Sequence, residues 1–311
     1  MKLLTLITIG FFIFLLGWWL WTPDEDRASL ERNYLRAPED MVEVAGIKLH
    51  VRDSGPTGNA PTVIFLHGFG ASLHTWEPWA SILSRDMRVI RLDLPGSGLS
   101  SPDPTGNYGD ARTLEVLLVL MRRLGVARAS LAGNSIGGRI AWTFAAQHPE
   151  RIEKLVLISP DGFASPGFEY GKKPQVPATV KLMQYALPKS LLRMSLVPAY
   201  ANPVVLTDEL TARYHDLMLG PGSRGAMIAR LEQTVLVDPV PMLKKITAPT
   251  LLLWGEQDAL IPFSNSADYM KAIPRVTLVS LPGIGHLPHE EAPEKTIGPV
   301  RAFLIERRSL E

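Results

Sequence analysis

The sequence predicts an α/β architecture: an open, mostly parallel central sheet flanked by helices, with a helical cap inserted before the last strands. Three observations predict it. Short apolar-rich runs recur at Thr62–Leu66, Arg88–Leu92, Ala129–Ala132, Lys154–Ile158 and Thr250–Trp254. Strands of that kind are buried on both faces, which belongs to parallel sheets covered by helices. Helical patterns alternate with them at Trp76–Leu83, Asp110–Leu124, Arg139–Gln147 and Ser264–Ile273, the spacing of βαβ crossovers. Between Gly162 and Pro241 the rhythm breaks. That stretch has no strand pattern, prolines at 166, 174, 177, 188, 198, 203 and 221, and short helical runs such as Val180–Ala186 and Glu209–Met218. The division expected is a core over 41–161 and 242–311, with the cap over 162–241.

A chain of 311 residues holds one large α/β domain with an insertion, or two small domains. A hydrophobic fraction of 46% is ample for a core, and a net charge of +1 gives no reason to expect nucleic acid. The absence of cysteine excludes disulfides, thiolate metal sites and a cysteine nucleophile.

The N-terminal stretch Leu3–Leu20 carries no charge and has the length of a short membrane span, about 18 residues. It ends in Trp18, Trp19 and Trp21, then Pro23-Asp24-Glu25-Asp26, with no small-residue cleavage site. The expectation is an uncleaved, single-pass transmembrane signal anchor over residues 1–22, with the tryptophans as an interfacial belt. Lys2 before it and acids after it place the rest of the chain outside the cytoplasm, periplasmic in a bacterium. Residues 23–40 are a linker or short helix.

Met41–Val44 and Ile47–Arg52, joined through Ala45-Gly46, form a predicted β-hairpin. Residues 53–61 are loop. Gly125 stops the helix Asp110–Leu124. Val276–Leu281 is the final strand, and Glu294–Arg308 the closing helix.

The chemistry centres on Leu131-Ala132-Gly133-Asn134-Ser135-Ile136-Gly137-Gly138. Gly133 and Gly137 flank Ser135 at the G-x-S-x-G spacing, between a buried strand and a helix. That context places the serine on a sharp strand-to-helix turn, with its hydroxyl lifted out of the sheet. Side chains at the flanking glycines would collide with the neighbouring strand and helix. A serine hydroxyl needs a base, and the base needs an orienting acid. His286, in a loop directly after the strand Val276–Leu281, is the best base. His289 is its positional rival, while His67, in the glycine turn His67-Gly68-Phe69-Gly70, suits a packing role. Asp258, after the strand Thr250–Trp254, is favoured as the acid. Asp161 competes for that role, and Asp93, in a Pro-Gly turn, suits a structural one. The order Ser135, Asp258, His286 is the Ser…Asp…His order of one hydrolase class. Oxyanion donors are expected at the backbone N–H groups of Ile136 and Phe69.

The motifs His67-Gly68-Phe69-Gly70, Asp93-Leu94-Pro95-Gly96-Ser97-Gly98, Gly133-Asn134-Ser135-Ile136-Gly137-Gly138, Trp254-Gly255-Glu256-Gln257-Asp258 and Gly285-His286 together span residues 41–308. In that order they resemble the α/β-hydrolase fold serine hydrolases of the capped group, which includes esterases, monoacylglycerol lipases and meta-cleavage C–C hydrolases. The resemblance implies Ser135 as nucleophile, His286 as base, Asp258 as acid, and Phe69 and Ile136 as the oxyanion hole. It implies no metal or organic cofactor, and a small-molecule or lipid ester as substrate. Gly-Asn-Ser-x-Gly-Gly is similar to the C–C hydrolase elbow. Leu287-Pro288-His289-Glu290-Glu291 after the histidine is more like esterases and lipases. The reading favoured is a carboxylic ester hydrolase acting through an acyl-enzyme. A C–C bond hydrolase and a catalytically silent membrane-tethered binding protein are the alternatives. Met183, Leu187, Leu191 and Met194 either line an acyl pocket or pack the cap onto the sheet.

Overall fold

The computed structural model describes residues 2–58, 60–164 and 169–306. Its centre is an eight-stranded sheet in the order β1-β2-β4-β3-β5-β6-β7-β8. The strands are β1 (Met41–Val44), β2 (Ile47–Ser54), β3 (Thr62–Leu66), β4 (Arg88–Leu92), β5 (Ala129–Asn134), β6 (Ile152–Ile158), β7 (Thr250–Gly255) and β8 (Val276–Leu281). From β4 to β8 every pairing is parallel, while β1–β2 and β2–β4 are antiparallel. The hairpin turn puts Ala45 and Gly46 at φ 52° and 81°, as a two-residue turn with the twist of its strands requires.

Alternation along β3 divides the core. Ile64 and Leu66 face a cluster with Leu131, Ile140, Trp142 and Trp254, whereas Val63 and Phe65 face Trp76, Trp79, Leu83 and Val300. This is the period of two that a doubly covered strand imposes. The carboxyl ends of β3, β5, β6 and β7 lie at one edge, because Leu66 pairs with Gly133 and Asn134 with Ile158. Ligands bind at that edge in open parallel sheets.

The helices are α1 (Lys2–Leu20), α2 (Arg27–Tyr34), α3 (Glu77–Leu83), α4 (Asp110–Arg123), α5 (Ile136–Gln147), α6 (Ala178–Leu182), α7 (Lys189–Leu196), α8 (Asp208–Met218), α9 (Ser223–Gln233), α10 (Val240–Leu243), α11 (Ser266–Ala272), α12 (Pro288–Glu291) and α13 (Pro293–Ile305). Between β6 and β7 the described residues contain helices and no strand, and α6 to α9 pack over the carboxyl edge. The helix expected over Val180–Ala186 is observed over Ala178–Leu182 and continues as a turn. Pro166 and the end of the expected terminal helix lie outside the described residues.

The anchor expected over residues 1–22 is overturned. Among the described residues no helix is long and apolar enough to cross a membrane. Helix α1 has 19 residues including Lys2, about 28 Å of rise against a hydrocarbon core of about 30 Å. Trp21, expected in an interfacial belt, stacks on Tyr185 of the helical segment at 6.0 Å. The periplasmic placement built on that anchor falls with it. Within residues 23–40, read as a linker or short helix, the structure has the short helix α2 (Arg27–Tyr34). Leu30 on α2 is buried against Leu99 and Leu217.

Asp93 explains its turn motif. Its Oδ1 accepts from Leu73 N at 2.6 Å, and its Oδ2 accepts from Leu99 N at 2.8 Å and faces His50 Nδ1 at 2.8 Å. A Cβ on Gly98 would lie 2.2 Å from Asp93 Oδ2, so the turn closes only with glycine there. Burial alone would raise the Asp93 carboxyl, but His50 beside it holds it well below the usual carboxylate range.

Three other imidazoles are buried and kept neutral. Desolvation lowers His67 and His289 and brings His74 down to about 4. Each of them binds a proton more readily in the unfolded chain than in the fold. Stability is therefore complete above about 6.5, the unfolded value, and declines as pH falls below it, for His74 down to about 4. Thermal unfolding followed from pH 8 to pH 5 should show the midpoint dropping by several degrees below pH 6.5; a flat profile would contradict the burial of neutral imidazoles.

Candidate active site

The strand β5 runs directly into α5 through Ser135, which sits at φ 55°, ψ −122°. A non-glycine residue held there costs about 1–3 kcal/mol, so the surroundings must fix it. Ser135 N donates to Ile158 O at 3.1 Å, and Ser135 O accepts from Arg139 N and Asp161 N, each at 3.0 Å. A Cβ on Gly133 would lie 2.2 Å from Gly137 O, and one on Gly137 would lie 2.2 Å from Leu66 O. The glycines are thus what lets strand and helix meet at the serine.

Gly68 makes the next close approach. A Cβ there would stand 2.9 Å from Asn134 Oδ1 and 3.3 Å from Ser135 Cβ. The loop 67–70 therefore lies against the elbow. His67 fixes that loop from below, accepting from Leu94 N at Nε2 (2.9 Å) with Nδ1 2.8 Å from Gly68 O. This is the packing role its position suggested.

On the far side, His286 Nδ1 lies 2.7 Å from Asp258 Oδ2, with both side chains buried. Asp258 Oδ1 is occupied separately, accepting from Leu260 N at 2.9 Å and Ile261 N at 2.8 Å. One carboxylate oxygen thus orients the imidazole while the other is held by the backbone. Gly255 brings the two loops together, since a Cβ there would lie 2.1 Å from Gly285 O.

The histidine loop is also gripped by groups that the sequence did not single out. Asn134 Nδ2 donates to His286 O at 3.0 Å, and His286 N donates to Ala199 O at 2.8 Å. Glu291 accepts from Gly285 N at 2.7 Å and from Asn202 N at 2.8 Å. Glu290 accepts from the hydroxyls of Tyr200 and Tyr214, each at 2.8 Å, and pairs with Arg213. The two glutamates follow His286 closely in sequence, but apart from Gly285 their partners are more than 70 residues away, so little local pointed to them.

The rival residues are placed elsewhere. His289 is fully buried, stacked on Trp76 at 4.0 Å with Nε2 3.1 Å from Thr75 Oγ1. Asp161 lies 3.3 Å from Arg139 Nε, and burial raises its carboxyl. Asp258, not Asp161, carries the bond to His286.

Ser135 and His286 both line one cavity of about 300 Å³, roofed by the segment between β6 and β7. Gly68 and Phe69 border it beside the serine, and Val180, Met183, Leu192, Leu196 and Met218 form much of the apolar wall. Ile136 follows the serine as the first residue of α5, where backbone N–H groups have no intrahelical partner. Of the methionines and leucines proposed for an acyl pocket, Met183 lines the cavity. Leu187 packs with Leu192 and Tyr214, while Leu191 and Met194 are exposed. Among the described residues no group of three or more His, Asp or Glu could hold a metal ion.

The sequence profile of the alpha/beta hydrolase fold matches residues 61–293. The chain belongs to the alpha/beta hydrolase fold family. It is 31% identical over 294 residues to a 2-hydroxy-6-oxononadienedioate/2-hydroxy-6-oxononatrienedioate hydrolase of Burkholderia vietnamiensis, covering 89% of this chain and 96% of that one. Among solved structures it is similar to the enol-lactonase from Burkholderia xenovorans, with TM-score 0.73, 26% identity, and coverage of 85% of this hydrolase and 99% of the lactonase. It is also similar to a membrane phospholipase A described as a bacterial virulence factor, with TM-score 0.71, 25% identity, and coverage of 97% and 96%.

The contact at Gly68 is open to test in this hydrolase. Gly68→Ala pushes the loop 67–70 away from Ser135 without touching the core. Hydrolytic kcat should fall about 10²-fold or more, the cost of misplacing groups beside the reacting centre, while circular dichroism shows a folded protein; an unchanged kcat would contradict the contact.

Proposed function

We propose that this hydrolase is a carboxylic ester hydrolase acting on uncharged acyl groups through an acyl-enzyme. The observation that carries the reading is the charge of the pocket. Its lining contains no lysine or arginine among the described residues. Two arginines, Arg224 buried and Arg213 partly buried, stand behind its walls, and each is already matched to a carboxylate. Arg213, next to the lining Tyr214, pairs with Glu290. Arg224, which donates to the carbonyl of the lining Met183, pairs with Asp24. The dienoate and dienedioate substrates named for the C–C hydrolase relatives are carboxylates. An ionised carboxylate in an apolar cavity without a cation costs several kcal/mol. A neutral ester meets no such penalty. The lactonase and phospholipase A named among the similar structures support ester chemistry.

In this reading Ser135 Oγ attacks the ester carbonyl while His286 Nε2 takes its proton. Asp258 keeps the imidazole in the tautomer whose Nε2 is free to accept. The N–H groups of Phe69 and Ile136 hold the developing oxyanion, each worth about 3–4 kcal/mol in the transition state. The imidazolium protonates the leaving alcohol, and water activated by His286 then hydrolyses the acyl-enzyme. Residues 162–241 act as a cap that supplies the acyl wall. C–C hydrolysis by the same residues remains the rival, favoured by the 31% identity to the Burkholderia vietnamiensis hydrolase.

Hydrolysis of p-nitrophenyl esters from acetate to palmitate, assayed beside the Ser135→Ala variant, tests the reading. Activity should fall about 10⁴-fold or more in the variant, and a ring-fission dienoate should be turned over at least 100-fold less efficiently than the best ester. Dienoate turnover exceeding every ester would transfer the assignment to C–C hydrolysis.

A further inference from the structure

The chain before β1 lies outside residues 61–293 of the family match, yet it is fastened along the edge of the helical segment. Thr22 N donates to Tyr185 O at 2.9 Å, and Thr22 Oγ1 accepts from Leu187 N at 3.0 Å. Glu25 N donates to Leu219 O at 2.8 Å, and Tyr34 OH donates to Asp216 Oδ2 at 2.7 Å. The same strap reaches the core, where Arg27 bonds Leu99 O and Tyr34 O accepts from Arg52 at 2.8 Å. The strap thus fixes the far end of the pocket from outside.

Asp24 sits in the middle of this strap. Its Oδ1 accepts from Arg224 Nη2 at 2.7 Å, and its Oδ2 accepts from Gly222 N at 3.1 Å. Arg224 is 4% exposed. Its Nη1 reaches Met183 O at 3.3 Å, and its Nε has no partner. Arg224 also lines a small cavity that shares Gly70, Ala71 and Met218 with the substrate pocket. Met183 and Met218 line the substrate pocket, and Met218 and Met227 line the small cavity with Arg224; all three are unbranched side chains that repack readily. A guanidinium does not give up its proton, so burying one without an anion beside it is costly. Here the anion comes from the strap.

We propose that Asp24 is a specificity-determining residue: by occupying Arg224 behind the methionine wall, it keeps the pocket closed to acyl chains that end in a carboxylate. The proposal rests on the ester reading for its catalytic readout. Specificity of this kind lies in the difference between two affinities, and removing a competing anion changes that difference directly. With Asp24 neutral, Arg224 is left with an unanswered charge beside the carbonyl of the pocket-lining Met183, and a terminal carboxylate becomes its natural partner.

The test compares wild type, Asp24→Asn and the double variant Asp24→Asn/Arg224→Met on p-nitrophenyl pentanoate and p-nitrophenyl hydrogen glutarate, chains of equal length that differ in a terminal carboxylate. In Asp24→Asn the glutarate-to-pentanoate ratio of kcat/KM should rise about tenfold or more, mainly through KM, and the double variant should lose that gain. An unchanged ratio in Asp24→Asn, or a gain that survives loss of Arg224, would overturn the proposal. A binding readout separates it from the ester assignment. Free glutarate should raise the unfolding temperature of Asp24→Asn but of neither other protein, whether or not any ester is cleaved. Failure of wild type on pentanoate would sink the ester reading alone; absence of glutarate stabilisation in folded Asp24→Asn would sink this one.

Discussion

The site depends on how closely β3, β5 and α5 approach one another at Ser135. Three glycines make that approach possible: Gly133 against Gly137 O, Gly137 against Leu66 O, and Gly68 against Asn134 and Ser135. A single Cβ at any of them would push apart the pieces that hold the serine at φ 55°. The unfavourable backbone is kept because the parallel sheet fixes both sides of it, with Ile158 accepting from Ser135 N and α5 starting on Ser135 O. Local strain at one residue is set against the packing of a whole buried sheet, and the sheet wins.

The second constraint is the joint between the histidine loop and the helical segment. Ala199, Tyr200, Asn202, Arg213 and Tyr214 all bond to residues 285–291. Gly285 lets them approach, since a Cβ there would lie 2.7 Å from Ala201 N. The wall of the pocket and the placement of His286 are therefore parts of one network. The same segment is tied on its other edge to the strap through Thr22, Asp24 and Tyr34. A segment bound at both ends keeps a defined pocket despite its short helices.

Most of the core was legible because buried parallel strands are short apolar runs with turns at their ends. Thr62–Leu66, Arg88–Leu92 and Val276–Leu281 have the bounds the sequence predicted. The motif residues of the site were legible because glycines at fixed offsets from a serine, an aspartate and a histidine state a backbone requirement. What the sequence did not show was contact across distance. Glu290, Glu291 and Asn134 are ordinary polar residues until Tyr200, Asn202 and His286 are beside them. The N-terminus misled for a related reason. An uncharged apolar run matches a membrane span in composition, but the helix is short for one and Trp21 packs against Tyr185. Composition does not reveal which partner a side chain finds.

The central claim is that Ser135 carries the acyl group between two chemical steps. Mixing the protein with a p-nitrophenyl ester, quenching in acid within the first turnover and weighing the intact chain and its peptides tests this directly. The account predicts a mass increase of one acyl group, located on the peptide containing Ser135. Ester turnover that persists undiminished in Ser135→Ala, with no acylated chain at any quench time, would show that water attacks the ester directly, and would contradict it.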